Sequence, residues 1–208
     1  RADAIEGVPP AIAIEQSNNV KTTRSTVGTI TEINDYLKLL FPRLASASCP
    51  SCGRPIRPET ARSIVRDAAG NLAGHTLFVT FPVGTGDVEK RTPAQFFDFL
   101  KSQGYLRIWL DGKILRVDEK PPRRLPAVVL VVQDRVAASE ETRFTEAGET
   151  SLRLGKGRVV IIDAANGESH PFSAGWHCAW CDIDIRPPTP GLFSFNHPLG
   201  ACPECRGF

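Results

Sequence analysis

The six cysteines of this 208-residue chain constrain its fold more than any other feature of the sequence. They form three pairs, each with the spacing Cys-x2-Cys: Cys49 with Cys52, Cys178 with Cys181, and Cys202 with Cys205. This spacing places two thiolates on one tight turn, where both can bind a single zinc ion at about 2.3 Å. Disulfide frameworks of secreted proteins are usually shorter and space their cysteines less regularly. We therefore expect an intracellular protein whose reduced thiols bind zinc.

The spacing leaves open which pairs share a metal ion. Taken alone it favours one site made of the last two pairs, because twenty residues separate them. The first pair would then be left over, or the partner of one pair would lie outside this chain. His177 and His197 are alternative ligands, although we expect them to support the site or face solvent. A thiol–disulfide oxidoreductase is disfavoured: Cys49 and Cys202 each begin a Cys-Pro-x-Cys sequence, but no strand–knuckle–helix pattern surrounds them.

Between the first and second cysteine pairs, the sequence predicts alternating helices and strands. Thr92 begins the clearest helix, because Pro93 follows it and Gln95 can complete a capping box. Asp111 and Gly112 are typical of the two-residue turn of a β-hairpin. Residues 54–176 should therefore form an α+β module. The predicted helices are 59–67, 92–104 with Gly104 as its stop, and 141–154, which is less clear because it contains Gly148. The predicted strands are 76–81, 105–110, 113–117, 127–132 and 158–163, of which 127–132 should be central in the sheet.

The residues before the first cysteine predict a strand, a loop and a helix. Ala11 to Glu15 has the character of a short strand, and a polar loop follows it. Thr29 is the predicted N-cap of the helix, with Glu32 completing a capping box, and Pro42 is its predicted end.

Composition excludes several classes of function. The net charge is only +2, from 25 basic and 23 acidic residues, and no apolar run approaches the ~18 residues of a membrane helix. Residues 54–126 are locally basic, with 13 basic and 8 acidic residues, which suits either an ordinary solvated surface or a charge-complementary protein interface. The glycine-rich stretch 83–87 lacks the Gly-Lys-Ser/Thr ending of a phosphate-binding loop, so we expect no ATP hydrolysis by this chain alone. The chain contains no Met and begins with Arg1, so we expect a fragment of a longer protein.

Five stretches of the chain, in order, carry a resemblance to a known family. They are Ile5 to Gln16, Arg24 to Phe41, the Cys49-Pro-Ser-Cys-Gly53 knuckle, Gln103 to Gly112, and Leu192 to Cys205. They resemble the UvrA family, the ATP-dependent DNA-damage sensor of bacterial nucleotide excision repair. The resemblance is strong at both ends and looser between residues 60 and 170.

The resemblance implies that the chain is part of the N-terminal ATPase half of such a protein. Residues 1–48 would belong to the first ATPase domain, and 49–53 with 177–208 to a zinc-knuckle signature region. Residues 54–176 would be the inserted domain on which UvrB docks. Gln16 matches the Q-loop glutamine, which senses bound nucleotide and magnesium. The implied setting is cytoplasmic, with ATP, Mg²⁺, zinc, damaged double-stranded DNA and a homodimeric parent protein.

The resemblance also implies a grouping of the cysteines that differs from the one favoured by spacing. Cys49 and Cys52 would join Cys178 and Cys181 at the base of the inserted domain. The last pair would bind zinc together with a Cys-x2-Cys pair of a later segment. All six cysteines remain candidate zinc ligands. The alternative function is a free-standing zinc-ribbon nucleic-acid-binding protein, which should carry a concentrated basic stripe with stacking aromatic residues.

Overall fold

The computed structural model describes residues 25–85 and 92–206, which fall into two compact units. Of the described residues, one unit contains 25–45 and 188–206, and the other contains the rest of the chain. The predicted strand at 11–15 and Gln16 lie outside the described residues. No helix in the described part of the chain has the length and apolar character needed to cross a membrane.

In its described residues, the first unit contains two helices, α1 (Val27–Ile30) and α2 (Ile33–Leu44), and a 3-10 turn (Pro190–Phe193). Phe41 of α2 packs against Phe193, with the ring centroids 5.8 Å apart. This aromatic contact joins the two chain segments of the unit.

The predicted cap of this helical region is wrong. Thr26 caps α1, and Thr29 completes that capping box instead of beginning the helix: its hydroxyl oxygen accepts the N–H of Thr26 at 2.8 Å. Glu32 adopts a left-handed φ of 62° and separates α1 from α2, so it does not cap by its side chain. Pro42 lies within α2, which continues to Leu44, because a proline near the end of a helix removes only one N–H from the ladder.

The part of the second unit that the structure describes contains a six-stranded antiparallel sheet, three helices and two short ribbons. The helices are α3 (Ala61–Asn71), α4 (Pro93–Ser102) and α5 (Glu141–Leu154). The strands are β1 (Ala47–Ser48), β2 (Pro55–Ile56), β3 (Thr76–Gly84), β4 (Arg107–Leu110), β5 (Lys113–Arg116), β6 (Val128–Ala137), β7 (Arg158–Asp163), β8 (Ser169–Ser173), β9 (His177–Cys178) and β10 (Ile183–Asp184). The large sheet has the order β5-β4-β6-β3-β7-β8, and β1–β2 and β9–β10 form the ribbons. The predicted α+β class is confirmed.

Two local predictions in this unit are confirmed. Thr92 caps α4: its hydroxyl accepts the N–H of Gln95, whose side chain accepts the N–H of Thr92 at 2.8 Å, and Pro93 follows the cap. Asp111 and Gly112 connect β4 to β5 with φ values of 49° and 77°. Positive φ at both positions is the geometry of a type I′ hairpin turn.

The central strand is longer than predicted. β6 lies between β4 and β3 and continues five residues beyond the predicted end at 132. Its pairing with β3 shifts so that Val79 faces Asp134 while Thr80 faces Val132, which leaves Gln133 as a β-bulge. The polar residues around this bulge hide the second half of the strand from a hydrophobic pattern. The edge strand β8 was also not predicted, because its sequence is mostly polar and contains Pro171.

All three helices of this unit pack on one face of the sheet. Leu77 and Val79 of β3 pack against α3 and α5, and Phe81, two residues further, packs against α4. Side chains alternate between the two faces of a strand, so these three residues share a face. The two apolar cores therefore lie side by side beneath one helical layer.

A glycine explains how closely α3 and α5 approach each other. A methyl group added at Gly148 of α5 would lie 3.4 Å from the Cβ of Ala61 in α3, which is already van der Waals contact. Gly148 made this helix less clear in the sequence, since glycine is a poor helix former. The structure shows that the small residue serves helix packing.

A buried carboxylate fixes the end of β7. Asp163 is 1% exposed, accepts the backbone N–H of Ala165 at 2.9 Å, and bonds to Nδ1 of His75 at 2.7 Å. The Ala165 N–H and, after it, His75 lower the pKa of Asp163 despite the opposing effect of burial. The ionised form therefore stabilises the turn between β7 and β8.

We expect Asp163→Asn to lower the free energy of unfolding at neutral pH by about 1–3 kcal/mol, because it weakens hydrogen bonds to a buried charged group. The lowered pKa means that this stabilisation is fully present above the ordinary aspartate pKa of about 3.9 and disappears as the pH falls through the folded-state value. The difference between variant and wild type should therefore shrink in acid. Denaturant titrations at several pH values measure it.

Asp118→Asn is the matched control, because Asp118 pairs with Arg116 on the exposed surface. An exposed ion pair contributes little to stability, so no measurable change is expected. Equal destabilisation by both substitutions would contradict the role given to Asp163.

Candidate metal centre

The first two Cys-x2-Cys sequences fold into the same tight turn. In the first knuckle (residues 49–53), Gly53 donates its N–H to the carbonyl of Cys49 at 2.9 Å and has a φ of 70°. In the second knuckle (residues 178–182), Asp182 donates to the carbonyl of Cys178 at 2.9 Å and has a φ of 55°. A left-handed residue thus closes each turn and keeps the two sulfur atoms of each pair close together.

Each knuckle forms the connection of a two-stranded ribbon. β1 and β2 flank the first knuckle, and the N–H of Cys49 donates to the carbonyl of Arg54 at 2.8 Å. β9 and β10 flank the second, with Cys178 opposite Ile183. A small apolar cluster surrounds the buried side chains of Cys49 and Cys178; it contains Ala47, Ile56, Trp176, Ile183 and Ile185.

Four cysteine sulfurs from the two knuckles converge. The Sγ atoms of Cys49, Cys52, Cys178 and Cys181 all lie within 4.8 Å of one another, and those of Cys52 and Cys178 are 3.7 Å apart. All four cysteines are free thiols. Sulfurs bound tetrahedrally to zinc at about 2.3 Å lie about 3.8 Å from each other, so this donor set fits a tetrahedral ion. The structure therefore has the grouping implied by the resemblance, and not the grouping favoured by spacing alone.

The electrostatics of the cluster favour a cation. The backbone N–H of Cys52, followed by that of Ser51, lowers the pKa of Cys49 to about 6. Hydrogen bonding with Cys52, followed by burial, raises the pKa of Cys181 to about 12. Neighbouring sulfurs cannot all ionise without a compensating charge, so the thiols share protons. A divalent cation takes the place of these protons when it binds.

Behind the second knuckle, a buried histidine and an arginine connect the metal centre to the sheet. Nε2 of His177 lies 2.9 Å from Oδ1 of Asp182, the residue that closes the knuckle. Arg158, at the start of β7, donates to the same oxygen at 2.7 Å. His177 therefore supports the site, as expected, by orienting Asp182. The contribution of Arg158 was missed, because the sequence does not indicate which strand meets the knuckle.

On the outside of the cluster, an arginine from one knuckle stacks on a tryptophan from the other. Arg54 follows Gly53 directly, and its guanidinium carbon lies 3.9 Å from the ring centroid of Trp180. Trp180 lies between Cys178 and Cys181 in sequence and is half-exposed. This cation–π contact joins the two knuckles. In the sequence, only their positions close to cysteines pointed to Arg54 and Trp180.

The third knuckle (residues 202–206) belongs to the other compact unit. Arg206 donates its N–H to the carbonyl of Cys202 at 2.9 Å and has a φ of 47°, so the turn resembles the first two. Cys202 and Cys205 are both exposed, and the backbone N–H of Cys205, followed by that of Glu204, lowers the pKa of Cys202. His197 accepts the N–H of Leu199 at 3.2 Å. Cys202 and Cys205 thus offer half of a four-sulfur site.

The geometry can be compared with known proteins. The UvrA interaction domain family matches residues 59–165, slightly more than half of the chain. The chain belongs to this family. It is 39% identical, over 99% of its length, to the UvrABC system protein A of Xanthomonas campestris pv. campestris. The corresponding proteins of Neisseria meningitidis serogroup A and Escherichia coli K12 are 38% and 37% identical over the same share.

The resemblance to UvrA is therefore confirmed. The chain spans only about a fifth of the length of these relatives, 21% to 22%. The matched segment of the UvrA interaction domain runs from just before α3 to just after β7, between the first two knuckles. The four-cysteine cluster, which could hold a metal ion, lies where the chain enters and leaves this domain.

The left-handed turn of the first knuckle gives a testable prediction. Gly53→Ala should destabilise the protein by about 1–2 kcal/mol, because a Cβ disfavours a φ of 70°. Space is not the reason, since a methyl group there would meet nothing within 4 Å. Gly53→Asn should cost less, because asparagine tolerates the left-handed region. Thermal or denaturant unfolding measures both changes.

Gly70→Ala is the matched control. Gly70 lies in α3, has no left-handed φ, and also has open space where the methyl group would point. Alanine is the better helix former, so this change should stabilise the protein by up to about 1 kcal/mol. Effects of the same sign at both glycines would contradict the argument.

Proposed function

We propose that this chain is the part of a UvrA-type protein that docks a UvrB-like protein, and that one zinc ion stabilises the base of the docking domain. The observation that carries the proposal is the match of the UvrA interaction domain to residues 59–165, within a unit that has its own sheet and cores. The whole protein recognises DNA damage in nucleotide excision repair and uses ATP and Mg²⁺. Because the chain spans a fifth of its relatives, these activities are proposed for the whole protein.

We assign the chain to three regions. Residues 1–48 are part of the first ATPase domain, in which Gln16 senses nucleotide and magnesium. Residues 49–53 and 177–208 form the zinc-knuckle signature region, and 54–176 form the docking domain. The convergence of the first two knuckles supports this division, since it brings both ends of the docking domain together. The parent protein acts as a cytoplasmic homodimer on damaged double-stranded DNA.

The zinc in this proposal has a structural task. Four cysteine ligands fill a tetrahedral zinc ion completely, whereas catalytic zinc sites keep a position open for water. The ion stabilises the folded form because the unfolded chain does not hold the four sulfurs together. It adds no reactive group to the docking domain.

Serine substitutions test the metal proposal. Cys49→Ser should reduce the zinc bound at the cluster from about one ion per chain towards none and lower the melting temperature, because it removes one of four ligands. Zinc content by mass spectrometry or atomic absorption and thermal unfolding measure the effect. Cys205→Ser, in the exposed third knuckle, is the matched control and should leave the zinc of the cluster and the melting temperature unchanged. Reversed results would overturn the grouping, and loss of metal in both variants would point to one site shared by all six cysteines.

Calorimetric titration of the whole chain with its cognate UvrB tests the docking proposal. We expect saturable binding that weakens as salt is raised, because exposed charges are screened beyond about 8–10 Å at ordinary ionic strength. Absence of heat and of a co-migrating complex at low salt would remove the docking function. The domain would then be a structural insertion.

A further inference from the structure

The four cysteines of the metal centre differ in their exposure to solvent. Cys49 and Cys178, the first cysteine of each knuckle, are each only 3% exposed. Cys181 is partly exposed, and Cys52 is the exposed member of the cluster. The space beside Cys52 is also open, since a methyl group on the neighbouring Gly53 would meet nothing within 4 Å. A reagent dissolved in water therefore reaches the sulfur of Cys52 first.

The sulfur of Cys52 has a neighbour on the opposite knuckle. Its distance to the Sγ of Cys178 is 3.7 Å, whereas a disulfide bond has a length of about 2.05 Å. Rotation about the two Cα–Cβ bonds can supply the approach of about 1.7 Å that joins them. Within its own knuckle, Cys52 faces a sulfur that is already engaged, because the backbone N–H groups of Ser51 and Cys52 donate to Cys49. Cys178 is therefore the partner placed for a bond to Cys52.

A disulfide between the knuckles differs in its effect from one within a knuckle. Cys52 and Cys178 lie 126 residues apart in sequence, so a bond between them would join the beginning and the end of the docking domain. A bond between Cys49 and Cys52 would span two residues and leave the knuckles unconnected. The stabilisation that a cross-link provides increases with the length of the loop it closes. Only the bond between the knuckles can replace the metal ion as their connection.

Zinc and exposure together make Cys52 reactive. A sulfur that coordinates zinc is deprotonated, and the thiolate is the form of cysteine that acts as a nucleophile. Exposed thiolates are the ones that oxidants attack, whereas buried cysteines are inert until a neighbouring sulfur has reacted. In the cluster, Cys52 combines the thiolate form with exposure.

We propose that Cys52 is an oxidation site for peroxides, and that a disulfide between Cys52 and Cys178 then takes the place of the zinc ion. The inference rests on the zinc of the proposed function and goes beyond it, because it assigns a chemical reaction to two of the four ligands. The docking domain keeps a closed base in both forms, with zinc when the thiols are reduced and with a disulfide when they are oxidised.

The reaction has two steps. The thiolate of Cys52 attacks one oxygen of hydrogen peroxide, the O–O bond breaks, and the departing hydroxide takes a proton to form water, which leaves a sulfenic acid on Cys52. The thiolate of Cys178 then attacks this sulfur, the S–S bond forms, the S–O bond breaks, and a second hydroxide takes a proton. The two thiolates thus give two electrons to the peroxide, and two protons from solvent complete two molecules of water. Zinc retains only Cys49 and Cys181 and dissociates.

The third knuckle would interfere with a test of this reaction. Cys202 and Cys205 are exposed in the other unit and would consume peroxide. The test therefore uses a double variant, Cys202→Ser with Cys205→Ser, in which the cluster is intact.

Titration of the zinc-loaded double variant with up to one equivalent of hydrogen peroxide per chain tests the proposal. We expect the release of about one zinc ion per chain, which a colorimetric zinc indicator measures. After the remaining thiols are blocked, mass spectrometry of proteolytic peptides should identify Cys52 linked to Cys178. A cluster that keeps its zinc and all four thiols would overturn the oxidation site. A link within either knuckle would overturn the choice of partner.

The melting temperature distinguishes the disulfide from simple loss of metal. The oxidised, zinc-free protein should unfold at a higher temperature than the reduced protein from which a chelator has removed zinc, because the disulfide closes a long loop. Dithiothreitol together with zinc should restore the original melting temperature. Equal melting temperatures of the two zinc-free forms would contradict the claim that the disulfide keeps the knuckles joined.

Cys52→Ser and Cys181→Ser, each added to the double variant, form a matched pair. Both remove one zinc ligand, but only the first removes the proposed reacting sulfur. Cys181→Ser should still form the disulfide between Cys52 and Cys178, and Cys52→Ser should react with peroxide roughly tenfold more slowly. Equal rates would overturn the role of Cys52. If either variant folds poorly, the peptide mapping with the intact cluster decides.

Failure of this inference is distinguishable from failure of the proposed function. If the reduced protein binds no zinc at the cluster, the structural zinc of the proposed function fails, and peptide mapping of the metal-free thiols decides the disulfide separately. If the cluster binds zinc but peroxide produces no link between Cys52 and Cys178, only the present inference fails.

Discussion

The convergence of four cysteine sulfurs is the contact on which the larger unit depends. Cys52 and Cys178 lie 126 residues apart in sequence and 3.7 Å apart in space. Bringing the ends of so long a segment together costs chain entropy, and a cross-link between them offsets that cost more as the loop grows longer. The apolar residues around the knuckles form only a small cluster, so a metal ion, which the four sulfurs could hold, would be the strongest means of keeping the two ends of this segment together. The contact between Asp182 and Arg158 then joins the second knuckle to β7.

Beyond the two knuckles, the domain has apolar cores of its own. Two apolar cores lie under the helical layer, and the short distance between Gly148 and Ala61 allows α3 and α5 to cover the sheet closely. The bulge at Gln133 keeps Val136 and Val131, which lie on either side of it, in these cores. It also leaves Arg135 opposite Phe78 on the other face.

Local signals predicted much of this fold. The Thr92 cap and the Asp111-Gly112 turn were recognised because their hydrogen bonds and dihedral angles involve residues only a few positions apart. The Thr29 cap failed for a related reason: two overlapping threonine motifs compete, and Thr26 begins the helix one turn earlier. β8 went unrecognised because an edge strand needs neither an apolar face nor every N–H, and its stability comes from pairing with β7.

The sequence by itself determined that the cysteines lie in pairs on tight turns, since each knuckle is closed by a hydrogen bond between residues four positions apart. It also indicated the UvrA family, because the matching stretches occur in order along the chain. Only the tertiary structure decided which pairs meet. Spacing favoured the second and third pairs, which are close in sequence. The sheet formed between Thr76 and Ser173, however, brings the two ends of this chain segment together, and so the first pair lies beside the second. The same holds for the contact of Arg158 with Asp182, which depends on strand order and register, and these arise from pairing between distant segments.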